Sequence, residues 1–208
     1  MHQYIMDTEF AVTSLIQLAT AEENRLKELS TQLKSCEARR ETCKWDFESS
    51  EFHDDFSDAY VMGAFARMAE ADKEVQPLQR EHQSLNISIA TRQYSVQAIS
   101  GSILQIAKQG ISLCHGKTMA GPPGRAVGTT LVRDIIWCGR NQAIHYEEGT
   151  FNGPTTELFS KLVNEQGEHF SLTKFSKQSR AKQVLALLGW SNYARYLLDM
   201  QSLLPDAT

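Results

Sequence analysis

At 208 residues the chain is long enough for one sizeable domain with its own core, and a single domain is the expectation. Its 21 Lys and Arg stand against 25 Asp and Glu, a formal net charge of -4 with a pI near 5.9, which excludes a global basic field that would draw in polyanions; any such contact has to be local. Cys36, Cys43, Cys114 and Cys138 form neither a Cys-x-x-Cys pair nor a zinc-finger spacing with the histidines, the start lacks a secretory pattern, and no run approaches the roughly 18 apolar residues of a membrane span, so the expectation is a cytoplasmic protein with no membrane contact, no metal and no cofactor.

From Leu15 onward, Leu15, Ala19, Glu22, Leu26, Leu29, Leu33, Cys36, Arg40, Cys43 and Phe47 step by four and three, which predicts a long heptad-like helix. The charged residues between them, Glu22, Glu23, Arg25, Lys27 and Glu28 among them, fall on its solvated face. Ser49-Ser50 and His53-Asp54-Asp55 predict a break and caps for a second helix carrying Tyr60, Phe65 and Met68. Pro77 predicts a start or kink. After it Leu85, Ile89, Arg92, Val96, Ile99, Ile103 and Ile106 repeat the four-three spacing, so a third long helix is expected to run back beside the first. Residues 1–115 thus read as an extended antiparallel hairpin.

Gly116 to Gly128, with Gly121-Pro122-Pro123-Gly124, reads as a loop. A helix follows from Gly128 to Gly149, then a turn at Gly149 to Pro154, a short helix at Thr156 to Val163, a break at Gln166-Gly167-Glu168 and a last helix at Lys177 to Leu204. Strand-like alternation is scarce throughout, so the expected class is all-α, an antiparallel helical bundle with residues 125–204 holding the later helices.

The helix after the loop carries the chemistry. At about 100° per residue, Val132, Ile135, Ile136, Gly139 and Ala143 share one stripe that can enter a core. Arg133, Trp137, Arg140, Asn141 and Ile144 cluster on the other side, and His145 is the i+4 neighbour of Asn141. Tryptophan and isoleucine mixed with Arg, Asn and His suit a protein contact, so Trp137 and Ile144 are the expected dimer interface. His145 lies near a helix C-terminus, where the dipole favours the imidazolium, and it can move a proton near neutrality. Arg140 is a permanent cation able to fork onto a phosphate, and Asn141 can orient either partner. These groups suit attack of an RNA 2′-hydroxyl on its own phosphodiester. Arg140 and His145 point roughly 140° apart on an ideal helix, which suggests that two copies complete one site. Arg125 and Arg133, on or near the same segment, are the expected RNA contacts.

Arg140-Asn141-x-x-x-His145, late in a helix of an all-helical chain, resembles the Arg-x(4–6)-His signature of HEPN domains, in which a polar residue commonly follows the arginine. The resemblance covers Arg125 to Gly149. It implies a metal-independent endoribonuclease of a toxin-antitoxin, antiviral or RNA-processing system, dimeric, with the motifs of both protomers lining a shared cleft. It assigns catalysis to Arg140 and His145 and a supporting role to Asn141. Some toxin members of that superfamily carry a tyrosine two residues after the histidine, which an antitoxin modifies. Glu147 holds that position here, with Tyr146 beside the histidine, so that mode of inhibition does not carry over, and the sequence does not identify an antitoxin or defence-system partner.

Other constellations have plainer readings. Gly116-Lys117-Thr118 lacks the upstream glycine of a phosphate-binding loop, since Ile111 stands there. Cys114-His115 and His53-Asp54-Asp55 are short clusters without a partner at ligand spacing. Lys174, Lys177, Arg180 and Lys182 read as a solvated helix start. Against the nuclease stand two alternatives, a helical interaction protein in which the motif helix only dimerises, and an RNA-binding protein that does not cleave.

Overall fold

The computed structural model describes residues 1–51, 58–116 and 121–204. Six helices carry nearly all of it: α1 (Gln3–Glu51), α2 (Asp58–His115), α3 (Val132–His145), α4 (Gly153–Gln166), α5 (Ala181–Leu188) and α6 (Tyr193–Leu203). Two strands of two residues each, β1 (Ala126–Val127) and β2 (Thr130–Leu131), pair antiparallel just before α3, Ala126 opposite Leu131 and Val127 opposite Thr130. The protein is all-α, as the sequence predicts, and no described helix is long and apolar enough to cross a membrane.

The chain divides into two compact units, Met1–Glu23 with Tyr94–Thr208, and Asn24–Gln93. The division falls inside both long helices rather than at the Gly121–Gly124 loop. In the smaller unit Leu26 and Leu29 of the predicted stripe are buried. Leu33, Cys36, Arg40, Cys43 and Phe47 lie outside the described side chains, and His53 to Asp55 outside the described residues.

In the larger unit the start of α1 and the end of α2 run antiparallel. His2 lies against Cys114, Tyr4 donates its phenol to the carbonyl of Ile106 at 2.8 Å, and Ile16 shares a cavity wall with Ser100. Val12 and Ile16 are buried here, while Leu15 and Ala19 of the predicted stripe are half-buried. The end of α2 buries Val96, Ile103, Leu104, Ala107 and Ile111, more than a two-helix seam needs, because α3 packs on it as well.

Several boundaries differ from the sequence expectation: α3 starts at Val132 rather than Gly128, after the short hairpin, and α4 spans Gly153–Gln166 rather than Thr156 to Val163. The two helices expected either side of Pro77 are one, and α1 continues through Ser49-Ser50 to Glu51. A proline interrupts a helix by removing one N–H and crowding one carbonyl, a local cost that flanking helical turns can outweigh. The helix expected over Lys177 to Leu204 is two, since Gly189 adopts φ 73°, its N–H closes α5, and the Asn192 side chain accepts from the Arg195 N–H at 3.0 Å to start α6. The chain turns there so that Trp190 and Tyr196 pack edge to face in the core, ring centroids 4.8 Å apart.

Candidate functional site

Helix α3 lies at the centre of the larger unit. Val132, Ile135, Ile136 and Gly139 are buried as the stripe predicts, Ala143 is packed against the core, and Cys138 and Gln142 are buried besides. The opposite face is covered too, by α2: Arg140 donates through Nε to the Gln105 Oε1 at 2.6 Å, and the Lys108 ammonium sits 4.5 Å from the Trp137 ring centroid. Burial of Gln142 is matched by polar partners, because its amide donates to the carbonyl of Gln178 and accepts from the Arg180 N–H. The Cys138 thiol is pushed up to about 11 by burial, which keeps it protonated and unreactive near neutral pH.

The helix closes where the sequence places its end. Tyr146–Glu148 forms one 3-10 turn, and Gly149, at φ 72°, turns the chain left-handed and donates its N–H to the Tyr146 carbonyl. That turn brings Glu148 beside His145, with 2.6 Å between Glu148 Oε1 and His145 Nδ1. An ionised carboxylate only accepts, so Nδ1 is the donor in this contact, and in the neutral form of the ring Nε2 is the lone pair. The His145 side chain is 49% exposed. With Asn141, Thr150, Phe151 and Asn152 it opens on a depression of about 240 Å³.

Arg140 points elsewhere. Besides Gln105, its Nη1 donates to Asn141 Oδ1 at 3.2 Å, and desolvation by burial lowers its pKa while leaving it a cation. Asn141 therefore touches both halves of the motif, bonded to Arg140 and lining the His145 depression. Among the described residues no hydrogen bond joins Arg140 to His145, in keeping with their angular separation on α3.

The other expected contact residues are held within the fold. Arg125 forms a two-pronged pair with Asp199, Nε to Oδ1 at 2.8 Å and Nη2 to Oδ2 at 3.1 Å, and also donates to the Leu188 carbonyl; Trp190 Nε1 reaches the same carboxylate at 2.9 Å. Arg133 bonds Asp134 and the Gly121 carbonyl, fastening the loop to α3. Trp137 is half-buried against α2, and Ile144 is 40% exposed. Of the basic run, Arg180 is buried over the Phe175 ring and Lys182 pairs with Glu23. Cys114 contacts His2 at 3.1 Å and His115 the Leu203 carbonyl at 2.8 Å, and among the described residues no group of three or more His, Cys, Asp or Glu is gathered as a metal would require.

Sequence reasoning missed three partners. Glu148 has a signal, the i+3 spacing from His145 across a helix end. Gln105 and Asp199 have none, since they lie 35 and 74 residues from the arginines that they bind. No family model, no curated protein and no solved structure matches this chain.

Proposed function

We propose that the chain is a HEPN-like, metal-independent endoribonuclease that acts as a cytoplasmic homodimer, with Arg140 of one copy and His145 of the other in each site. A toxin-antitoxin or phage-defence role follows from the same resemblance, with an antitoxin or defence protein as regulator. The observation that carries the reading is the His145 imidazole, half-exposed at the end of α3, with Nδ1 tied to Glu148 and Nε2 without a partner among the described residues. With Nδ1 donating to Glu148, Nε2 is the atom through which the neutral ring would accept a proton.

The chemistry would run in one displacement. The 2′-hydroxyl gives its proton to His145 Nε2 and attacks phosphorus, the bond to the 5′-oxygen breaks, and that oxygen takes up a proton. A 2′,3′-cyclic phosphate and a 5′-hydroxyl result. Arg140 Nη2, which has no partner among the described residues, would face the charge developing on the phosphoryl oxygens. Glu148 holds the imidazole in its tautomer and stabilises the imidazolium.

A second reading rests on the engagement of Arg140 with Gln105: a helical RNA-binding or interaction protein with the guanidinium serving only the α2–α3 contact. Mixing subunits separates the two. Arg140→Ala and His145→Ala are expected to be inactive alone, and co-refolding them is expected to restore roughly a quarter of wild-type cleavage, since half of the dimers are mixed and each mixed dimer regains one of two symmetric sites. No recovery, with mixed dimers demonstrated by native mass spectrometry, rules out the shared site.

A further inference from the structure

Tyr94, Gln97, Ser102 and Gln105 on α2 face Ile144 and Tyr146 at the end of α3 across a cavity of about 590 Å³. Its floor is made of small residues, with the Cβ position of Gly101 3.6 Å from that of Ala143. The volume lies within the ~300–1,000 Å³ typical of small-ligand sites. No carboxylate lines it. Tyr94 is 70% exposed, an aromatic ring displayed at the rim rather than used for packing.

We infer that this groove holds a nucleobase of single-stranded RNA, stacked on Tyr94 and read by the Gln97 and Gln105 amides. The inference deepens the ribonuclease reading, on which its link to cleavage rests, by naming where the substrate is gripped. Two tyrosines, two primary amides and an apolar floor without acidic groups are the groups that bind an unstacked base: a ring takes its face, and amides take the donors and acceptors of its edge. Gln105 fixes the orientation of one of these amides. Its Oε1 accepts from Arg140 Nε, so its Nε2 is left to donate, which suits a carbonyl or ring-nitrogen acceptor on the base. The same bond links the groove through Gln105 to the Arg140 guanidinium, a cation one side chain removed from the lining that suits the phosphate of that nucleotide. The groove thus serves the Arg140 side of α3, and His145 opens on a different depression.

The test is binding of a fluorescent single-stranded oligonucleotide with 2′-deoxy sugars, which has no 2′-hydroxyl to attack, followed by anisotropy. Ala98 is an exposed residue of the groove wall, so Ala98→Trp fills the cavity from outside the core. Ala98→Trp and Tyr94→Ala are expected to weaken binding by about fivefold to a hundredfold, the range for loss of one stacked base. Tyr94→Phe keeps the ring and is expected to bind as wild type does. Unchanged affinity in both Ala98→Trp and Tyr94→Ala overturns the inference, as does a wild type that does not bind the oligonucleotide. A fall in dimer mass in Ala98→Trp at unchanged affinity overturns it in favour of a contact between copies. Wild-type binding that is lost in these two variants, with no cleavage of the all-ribose strand, upholds the groove and rejects the ribonuclease.

Discussion

Asp199→Ala is expected to lower the free energy of unfolding of the larger unit by about 3–5 kcal/mol, the usual cost of removing one partner from a buried ion pair. The Asp199 side chain is 3% exposed, and it accepts from Arg125 Nε, Arg125 Nη2 and Trp190 Nε1 at once. Truncation leaves a guanidinium and an indole N–H unmatched next to the core. The carboxylate also ties the segment before the β-hairpin to α6 and to the turn at Gly189, so three parts of the chain lose a common anchor. Asp199→Asn should cost less, since it keeps one acceptor and loses the charge. Chemical denaturation followed by tryptophan fluorescence measures both. Arg125→Ala should cost at least as much as Asp199→Ala, because it strands the 3% exposed carboxylate without its cation, whereas water can reach the 29% exposed guanidinium that Asp199→Ala leaves. A cost below 1 kcal/mol for Asp199→Ala would mean that Arg125 is free for another task, RNA contact included.

His145→Ala is expected to reduce RNA cleavage by about 10²- to 10⁴-fold, the range for loss of a positioned acid or base, while stability changes little. The imidazole is half-exposed, and among the described residues its hydrogen bond is to the exposed Glu148, so little of the fold depends on it. Glu148→Gln should lower the rate less than His145→Ala does, because an amide can still accept from Nδ1 but offers no charge to an imidazolium. Arg140→Ala is a less clean probe. Its guanidinium is half-buried and bonded to Gln105 and Asn141, so a loss of about 1–3 kcal/mol of stability is expected alongside the loss of rate. Gln105→Ala removes the α2–α3 bond and leaves Arg140 in place, and so separates the two effects. Initial rates on a uniform single-stranded substrate, normalised to folded protein, give the comparison.

The parts of this fold legible in the sequence are those set by residues close together in it. The stripe Val132, Ile135, Ile136 and Gly139 is buried because 3.6-residue periodicity puts all four on one side of α3 whatever they pack against. The end of that helix was legible from Gly149, whereas Gly153 and Pro154, read as part of the turn, form the first turn of α4 behind an Asn152 cap. The split of the last helix at Gly189 was harder to see. Apolar periodicity continues across it from Leu188 to Tyr196, and what favours the break is burial of Trp190 against Tyr196 and Asp199. The cover that α2 gives one side of Trp137, the expected interface residue, was not legible for a related reason. A helix covered on two sides needs an apolar residue on each, and sequence alone does not say that α2 supplies the second cover. Within the site, residue types and helix position were legible for Arg140, Asn141 and His145. The direction of each side chain depended on Gln105 and Glu148, one of them on a different helix.

These residues leave one claim on which the others depend, that the chain breaks RNA by transfer of a proton to His145 and attack of the 2′-hydroxyl. Wild-type protein incubated with mixed single-stranded RNA in excess chelator tests it most directly, with the new ends identified by mass spectrometry. Cleavage that persists in chelator and leaves 2′,3′-cyclic phosphate and 5′-hydroxyl ends is the predicted result. Cleavage that needs added magnesium, or that leaves 3′-hydroxyl and 5′-phosphate ends, would contradict it, because water and not the 2′-hydroxyl would then be the nucleophile.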